Sequence, residues 1–205
     1  MRPHALLLAA GSSSRFGSNK LLALWRGRPL LSHVISSITT LRDRGVVSGA
    51  TAVVQDGDER AAGLLRQAGV RVIWNEHAGQ GIARSLQLGL RALTILTPQP
   101  DAALIFLADQ PAAPIDAAEE VVRAWQLGGA AVVRPRYADA PDEPGHPVLL
   151  DRDAWGLAER LTGDQGLGRA LSRSPDMVVH VDVDGANPDV DTPADLSRLD
   201  HPPRQ

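Results

Sequence analysis

Ala5-Leu6-Leu7-Leu8-Ala9-Ala10-Gly11-Ser12-Ser13-Ser14-Arg15-Phe16-Gly17-Ser18-Asn19-Lys20 opens the chain with an abrupt change of character. Six small or apolar residues, Ala5 to Ala10, stop at a glycine. A short uncharged run of this kind reads as a buried strand of a parallel sheet. The residues after it are suited to anions. Gly11 and Gly17 admit backbone conformations closed to other residues, so main-chain N–H groups can turn toward one point. Ser12, Ser13 and Ser14 add hydroxyl donors, and Arg15 and Lys20 add positive charge. At the end of a first strand, that inventory suits a polyphosphate.

Two common phosphate loops do not match. The P-loop needs Gly, four residues, then Gly-Lys-Ser/Thr, but Phe16 stands five places after Gly11 and Ser18 follows Gly17. The dinucleotide fingerprint needs a second glycine at the place of Ser13. The plainer alternative is a polar βα turn whose Arg15 and Lys20 are merely solvated.

Beyond this stretch, 205 residues suit one domain spanning 1–200, with residues 201–205 expected to be a disordered tail. A net charge of -3 argues against a general nucleic-acid binder but says nothing against binding one nucleotide. The chain has no cysteine, which excludes disulfides, thiolate metal sites and a cysteine nucleophile. The first apolar run is too short for a signal peptide or a membrane span, so no membrane partner is expected and the cytoplasm is the default location.

Strands and helices then alternate. The pattern predicts a helix over 29–43 opened by Pro29, a strand over 50–54, a helix over 58–67 and a strand over 70–74. A further helix over 82–93 and the most apolar strand, 102–108, follow. A helix over 114–127, strands over 130–133, 148–150 and 177–183, and a short helix within 163–172 complete the pattern. Thr192-Pro193 marks one last helix start. This alternation predicts a single-domain, Rossmann-like, doubly wound α/β fold with a mostly parallel sheet.

Candidate site residues sit at the strand ends. Gly79 and Gly81 frame the start of the 82–93 helix, where the dipole favours an anion, with Ser85 in its first turn; a plain turn with Ser85 facing solvent is the alternative. Asp109 follows the central strand, where open α/β sheets place ligands. A carboxylate there either holds Mg²⁺ beside a polyphosphate or caps the next turn. Tyr137 to Pro144 reads as a mobile loop leading into Gly145-His146-Pro147, which would place an imidazole in a cleft or leave it inert. Asp182, Asp184, Asp189 and Asp191 crowd one late stretch.

Leu8-Ala9-Ala10-Gly11-x-Ser13-x-Arg15-x-Gly17-x-x-Lys20-Leu21-Leu22 closely resembles the signature of the nucleotidyltransferases of molybdenum cofactor biosynthesis. The resemblance continues in order through Gly81-x-x-x-Ser85-Leu86, Asp109-Gln110-Pro111, Gly145-His146-Pro147-Val148 and Asp191-Thr192-Pro193-x-Asp195-Leu196. Ala10, in place of a glycine, and the Gly-His-Pro turn resemble the cytidylyl-transferring branch. Two departures stand out. Phe16 replaces the usual methionine, and Arg169 lies one place later than the pattern Gly-Asp-x-Gly-Ala-Arg would put it.

The resemblance implies transfer of CMP from CTP to metal-bearing molybdopterin, with Mg²⁺ as cofactor and a recipient molybdoenzyme as a further partner. Arg15, Lys20 and Asp109 would be catalytic. Leu8, Ala9, Ala10, Gly11, Ser12, Ser13, Gly17, Lys20, Gly81 and Ser85 would bind the nucleotide. Asp109 and Asp191 would hold the metal, and His146 would face the pterin. Two rivals remain: another nucleotidyltransferase reaction, either guanylyl transfer to molybdopterin or transfer to a sugar phosphate or phospholactate, and a non-catalytic protein that carries the cofactor to an apoenzyme.

Overall fold

The computed structural model describes residues 1–11, 16–17, 19–128, 130–143, 145–172 and 174–200, the last by its backbone alone. The sequence assigned to Ser12, Ser13, Ser14, Arg15, Ser18 and the 201–205 tail therefore lies outside the described residues.

The first strand, β1 (His4–Ala9), is buried along its whole length. Its side chains alternate between two cores. Ala5, Leu7 and Ala9 join one cluster, and Leu6, Leu8 and Ala10 join the other. A strand buried on both faces needs no polar alternation, which is why its sequence is an unbroken apolar run.

A small hairpin follows, β2 (Leu24–Trp25) against β3 (Arg28–Pro29). Arg26 (φ 49°) and Gly27 (φ 76°) turn it, both in the left-handed region that hairpin turns of this length demand. The hairpin claims Pro29 as extended backbone, so helix α1 (Leu30–Asp43) begins one residue later than predicted. Next come β4 (Ala50–Gln55), α2 (Glu59–Gln67), β5 (Arg71–Asn75), α3 (Ile82–Thr94) and β6 (Ala102–Leu107). The chain ends with α4 (Ile115–Gln126), β7 (Val132–Tyr137), β8 (Val148–Asp151), α5 (Leu167–Leu171), β9 (Val178–Val183) and α6 (Pro193–Asp200).

The described strands form a seven-stranded sheet in the order β5-β4-β1-β6-β8-β7-β9, with β2 and β3 apart. Pairing is parallel except for β8, which runs antiparallel to both β6 and β7. The doubly wound, mostly parallel fold predicted from the sequence is the fold observed. Helices α1, α2 and α4 pack on one face through Leu31, Ile38, Leu65 and Val121. Helix α3, α5 and a 3-10 stretch at Arg152–Arg160 cover the other through Leu86, Leu93, Leu171 and Trp155. Truncating a fully buried leucine such as Leu7 to alanine costs roughly 2–5 kcal/mol in such a core.

Three local readings differ from expectation. Strand β7 runs on through Arg134, Pro135 and Arg136 to Tyr137, because it pairs in parallel with β9 along that whole length. The helix expected within 163–172 is only Leu167–Leu171, because Gly163 to Gly166 form the turn before it. The 3-10 stretch over 152–160 had no counterpart in the apolar periodicity.

The order of the sheet reverses at β1. Chain succession moves outward through β4 and β5 on one side and through β6 on the other. A crevice opens beyond the carboxyl ends of β1 and β6, the place where open α/β sheets bind ligands. A main-chain bond from Ala108 N–H to the Leu8 carbonyl (3.1 Å) ties the two ends together.

Candidate active site

Lys20 is the centre of this crevice. A 3-10 turn at Lys20–Leu22 follows the Gly-Ser loop, and Asn19 fixes its start. The Asn19 amide oxygen accepts from Leu21 N–H at 3.1 Å, and its Nδ2 donates to Asp58 Oδ2 at 2.6 Å. Asp58 in turn caps α2 by accepting from Ala61 N–H. So anchored, the Lys20 ammonium is 6% exposed and donates to Asp109 Oδ2 at 2.8 Å and Asp191 Oδ1 at 2.9 Å. Burial works against its charge, but the neighbouring carboxylates outweigh burial and raise its pKa above the ordinary lysine value.

Each carboxylate is held from behind. Asp109 follows β6, and its carbonyl accepts from Val190 N–H at 2.9 Å, which fastens the late acidic stretch to the central strand. Asp191 precedes α6. Asp195 Oδ2 accepts from the N–H groups of Asp191 (3.2 Å) and Thr192 (2.8 Å) and from the Thr192 hydroxyl (2.8 Å). Asp195 N–H donates back to Thr192 Oγ1, which completes a reciprocal cap with Pro193 as the first helical residue. The hydroxyl and backbone N–H of Thr192 hold the Asp195 carboxyl below its usual range. The predicted helix start at Thr192-Pro193 is therefore present, and it serves to aim Asp191.

A third carboxylate stands close by. Asp189 Oδ1 accepts from Gln110 Nε2 at 2.8 Å, and burial, followed by the charge of Asp109, raises its pKa. Among the described residues, Lys20 is the cation set between Asp109 and Asp191. Magnesium takes one or two carboxylates, completing its shell with phosphate oxygens and water. Asp109 and Asp191 match that donor set. No group of three or more His, Asp or Glu able to hold a metal occurs among the described residues, so a cation here needs further ligands from substrate and solvent.

Beside Lys20 lies a cavity of about 230 Å³. The structure brings to it Leu8, Ala9, Ala10, Gly11, Lys20, Gly81, Ser85 and Asp109 from the predicted set. Gly17 (φ 74°) does not line it. Gly81 has a strict steric reason to be glycine. Its φ is 93°, and a Cβ there would lie 2.2 Å from the carbonyl carbon of Gly163. The Gly163 carbonyl also accepts from Ala83 N–H at 3.1 Å, so one of the donors at the start of α3 is already used. Ser85 faces inward rather than solvent. It is 3% exposed, and Asn75 Nδ2 donates to its hydroxyl at 2.9 Å.

His146 lies elsewhere, in a second cavity of about 270 Å³ that shares Leu8, Ile82, Leu107 and Asp164 with the first. Its carbonyl accepts from Tyr137 OH at 2.6 Å and from Asn187 Nδ2 at 3.2 Å. Burial, and then the charge of Arg134, lowers its imidazole to about 3, so the ring is neutral at ordinary pH. Arg169, displaced by one place in the sequence pattern, lines this second cavity. Sequence reasoning missed Arg134, Asp164, Asn75 and Asn187. No local signal marked them: Arg134 follows the apolar run Ala130–Val133 but shares β7 with a second, exposed charge, Arg136.

A family model described as MobA-like NTP transferase domain matches residues 5–178. Over 44 residues the chain is 48% identical to a protein of Deinococcus radiodurans named probable molybdenum cofactor guanylyltransferase, a stretch covering 22% of this chain and 23% of that protein. Among solved structures, Rv0371c from Mycobacterium tuberculosis H37Rv is 26% identical, with a TM-score of 0.77 over 97% of this chain and 98% of that one. Molybdopterin-guanine dinucleotide biosynthesis protein A from Archaeoglobus fulgidus shares the fold, with a TM-score of 0.66, 20% identity and 95% of each chain covered. No helix among the described residues is long and apolar enough to cross a membrane.

Proposed function

The chain belongs to the MobA-like NTP transferase domain family, and on that premise we propose that it moves CMP from CTP to the terminal phosphate of metal-bearing molybdopterin, releasing pyrophosphate. The observation that carries this reading is the Lys20 ammonium clamped between Asp109 and Asp191 at the β1–β6 crevice. Its neighbours keep it charged, so it donates to phosphate oxygens as negative charge shifts toward the leaving pyrophosphate. The Gly11–Gly17 loop, with Ser12, Ser13 and Arg15, supplies further donors to the triphosphate. The attacking phosphate is already a nucleophile, so the chain needs to position it rather than deprotonate it. A neutral His146 fits that requirement. Mg²⁺ held by Asp109 and Asp191 would shield the phosphate charge during attack. The product would pass to a recipient molybdoenzyme in the cytoplasm.

Ala10 favours cytidine. It ends the first strand, is 4% exposed, and lines the first cavity, so its methyl narrows the space beside a bound base. The Deinococcus relative supports a second reading in which GTP is the donor. Incubating the pure chain with each NTP, Mg²⁺ and metal-loaded molybdopterin, and measuring pyrophosphate, separates them. CTP is expected to give the highest rate. Equal rates with GTP would remove the cytidylyl assignment, and no pyrophosphate from any NTP would remove the transferase reading for this acceptor.

A further inference from the structure

Resting on the reading of Asp109 and Asp191 as the metal pair, we propose that Gln110 is a positioning residue for the reaction: its side-chain amide locks the 187–191 segment onto the end of β6 and so sets Asp191 against Asp109. Gln110 directly follows Asp109 and is 8% exposed. Its Nε2 donates to Asp189 Oδ1 at 2.8 Å, and its Oε1 accepts from Asn187 Nδ2 at 3.1 Å. The same Asn187 Nδ2 donates to the His146 carbonyl at 3.2 Å. A main-chain bond from Val190 N–H to the Asp109 carbonyl (2.9 Å) joins the same two segments.

The chemistry of these bonds admits one arrangement. An ionised carboxylate only accepts, so Gln110 must turn its NH₂ toward Asp189. Its oxygen then faces Asn187, which must answer with its own NH₂. That NH₂ also serves the His146 carbonyl, and Asn187 Oδ1 is left buried without a partner. A buried oxygen of this kind is destabilising, so the network gives up stability at one atom to hold a geometry. The geometry bears on Asp191. Val190 turns away into the apolar cluster of Trp25 and Leu30, while Asn187 and Asp189 turn to Gln110. Asp191 then meets Lys20, which also holds Asp109. Val190 fixes where the segment lies, and the Gln110 bridge fixes its rotation about that anchor. The rotation matters because Mg²⁺ demands near-ideal octahedral geometry. The competing assignment makes Asp189 itself a metal ligand, but its Oδ1 is directed at the Gln110 amide, as an anchor requires.

The test titrates the full chain, with CTP present, with Mn²⁺ in place of Mg²⁺ and follows the electron paramagnetic resonance of the free ion. Mg²⁺-dependent pyrophosphate release is measured alongside. Gln110→Met keeps the length and removes both bonds, Asp189→Leu removes the acceptor, and Asp189→Asn keeps an acceptor oxygen without the charge. Gln110→Met and Asp189→Leu should each weaken Mn²⁺ binding roughly tenfold or more and raise the Mg²⁺ needed for half-maximal rate in proportion. KM for CTP at saturating Mg²⁺ and the far-UV circular dichroism should stay as in wild type. Asp189→Asn should bring Mn²⁺ affinity back to within about threefold of wild type, because the bond from Gln110 survives. Unchanged Mn²⁺ affinity in a folded Gln110→Met protein would overturn the proposal; a purely structural glutamine would lower Tm and leave that affinity unmoved. Asp189→Asn as weak as Asp189→Leu would also overturn it, since Asp189 would then be a ligand. Should Gln110→Met not fold, the two Asp189 variants decide the matter between them. Failure of the underlying readings shows differently. A wild-type chain that binds no Mn²⁺ removes the metal pair and the proposal with it, whereas absent pyrophosphate with the Mn²⁺ ranking intact removes only the reaction.

Discussion

The two cavities share a wall and differ in almost everything else. The first gathers Gly11 and Asp109 from the carboxyl ends of β1 and β6, where parallel strands run out together, and Lys20 from the 3-10 turn beside them. Its charges are paired at 2.8 and 2.9 Å. The second lies where antiparallel β8 joins β7 to the sheet, and two of its polar atoms, Arg134 Nε and His146 Nδ1, are buried without a partner, while Asp164 and Arg169 stand at its exposed side. A paired, partly hydrated cluster suits a ligand that brings its own charge and cation. Such a division would let a nucleotide and an acceptor meet at the shared wall.

The sharpest way to break this contrast is at Asp109. Asp109→Asn keeps the shape and removes the charge that holds a dication. Turnover should fall by roughly two or more orders of magnitude, while the fold survives. Modest extra Mg²⁺ should not restore the rate. A variant with unchanged Mg²⁺ dependence would take Asp109 out of the metal site.

Acidity separates the cavities next. Lys20 has a raised pKa, so its contribution to stability is fully present below the ordinary lysine value and is lost only as pH climbs above it. His146 goes the other way. Its folded value of about 3 lies below the unfolded value of 6.5, so its contribution is present above 6.5 and is lost as pH falls from there toward 3. His4, buried far from both cavities and lowered to about 4, adds to the same loss. Urea unfolding between pH 6.5 and 4.5 should show stability falling by up to about 1.4 kcal/mol per pH unit for each histidine. His146→Asn should flatten that slope, and an unchanged slope would mean that His146 is already hydrated.

The smallest effect is expected at Ala10. Ala10→Gly should raise kcat/KM for GTP relative to CTP without inverting the preference, since single pocket contacts discriminate by about 1–3 kcal/mol. An inverted preference would make Ala10 the sole determinant, and no change would remove it from base selection.

The contrast also explains what the sequence made legible. The first cavity is built from residues that break a pattern: Gly11 ends an apolar run, Lys20 closes a polar loop, and Asp109 follows the most apolar strand. Such breaks are visible in one dimension. Asp191 entered the candidate site through the family resemblance, while Thr192-Pro193 announced only the helix start beside it. The second cavity depends on pairings between distant strands. Nothing in Val132 to Tyr137 announces that Arg134 would lose its solvent, because that follows from β9 and β8 flanking β7. The hairpin at Trp25 to Arg28 was hidden for a different reason. Its turn is Arg26-Gly27, and only the glycine signals a positive φ. Asn75 under Ser85 and Asn187 under His146 act through long-range hydrogen bonds that no local spacing encodes.

Lys20 is the residue on which the phosphate chemistry rests, so pyrophosphate release by Lys20→Ala is the most direct measurement. With CTP, Mg²⁺ and metal-loaded molybdopterin, the variant should remain folded and turn over roughly a hundredfold or more slowly than wild type. A folded Lys20→Ala protein that releases pyrophosphate at close to the wild-type rate would contradict the assignment of the crevice to the triphosphate.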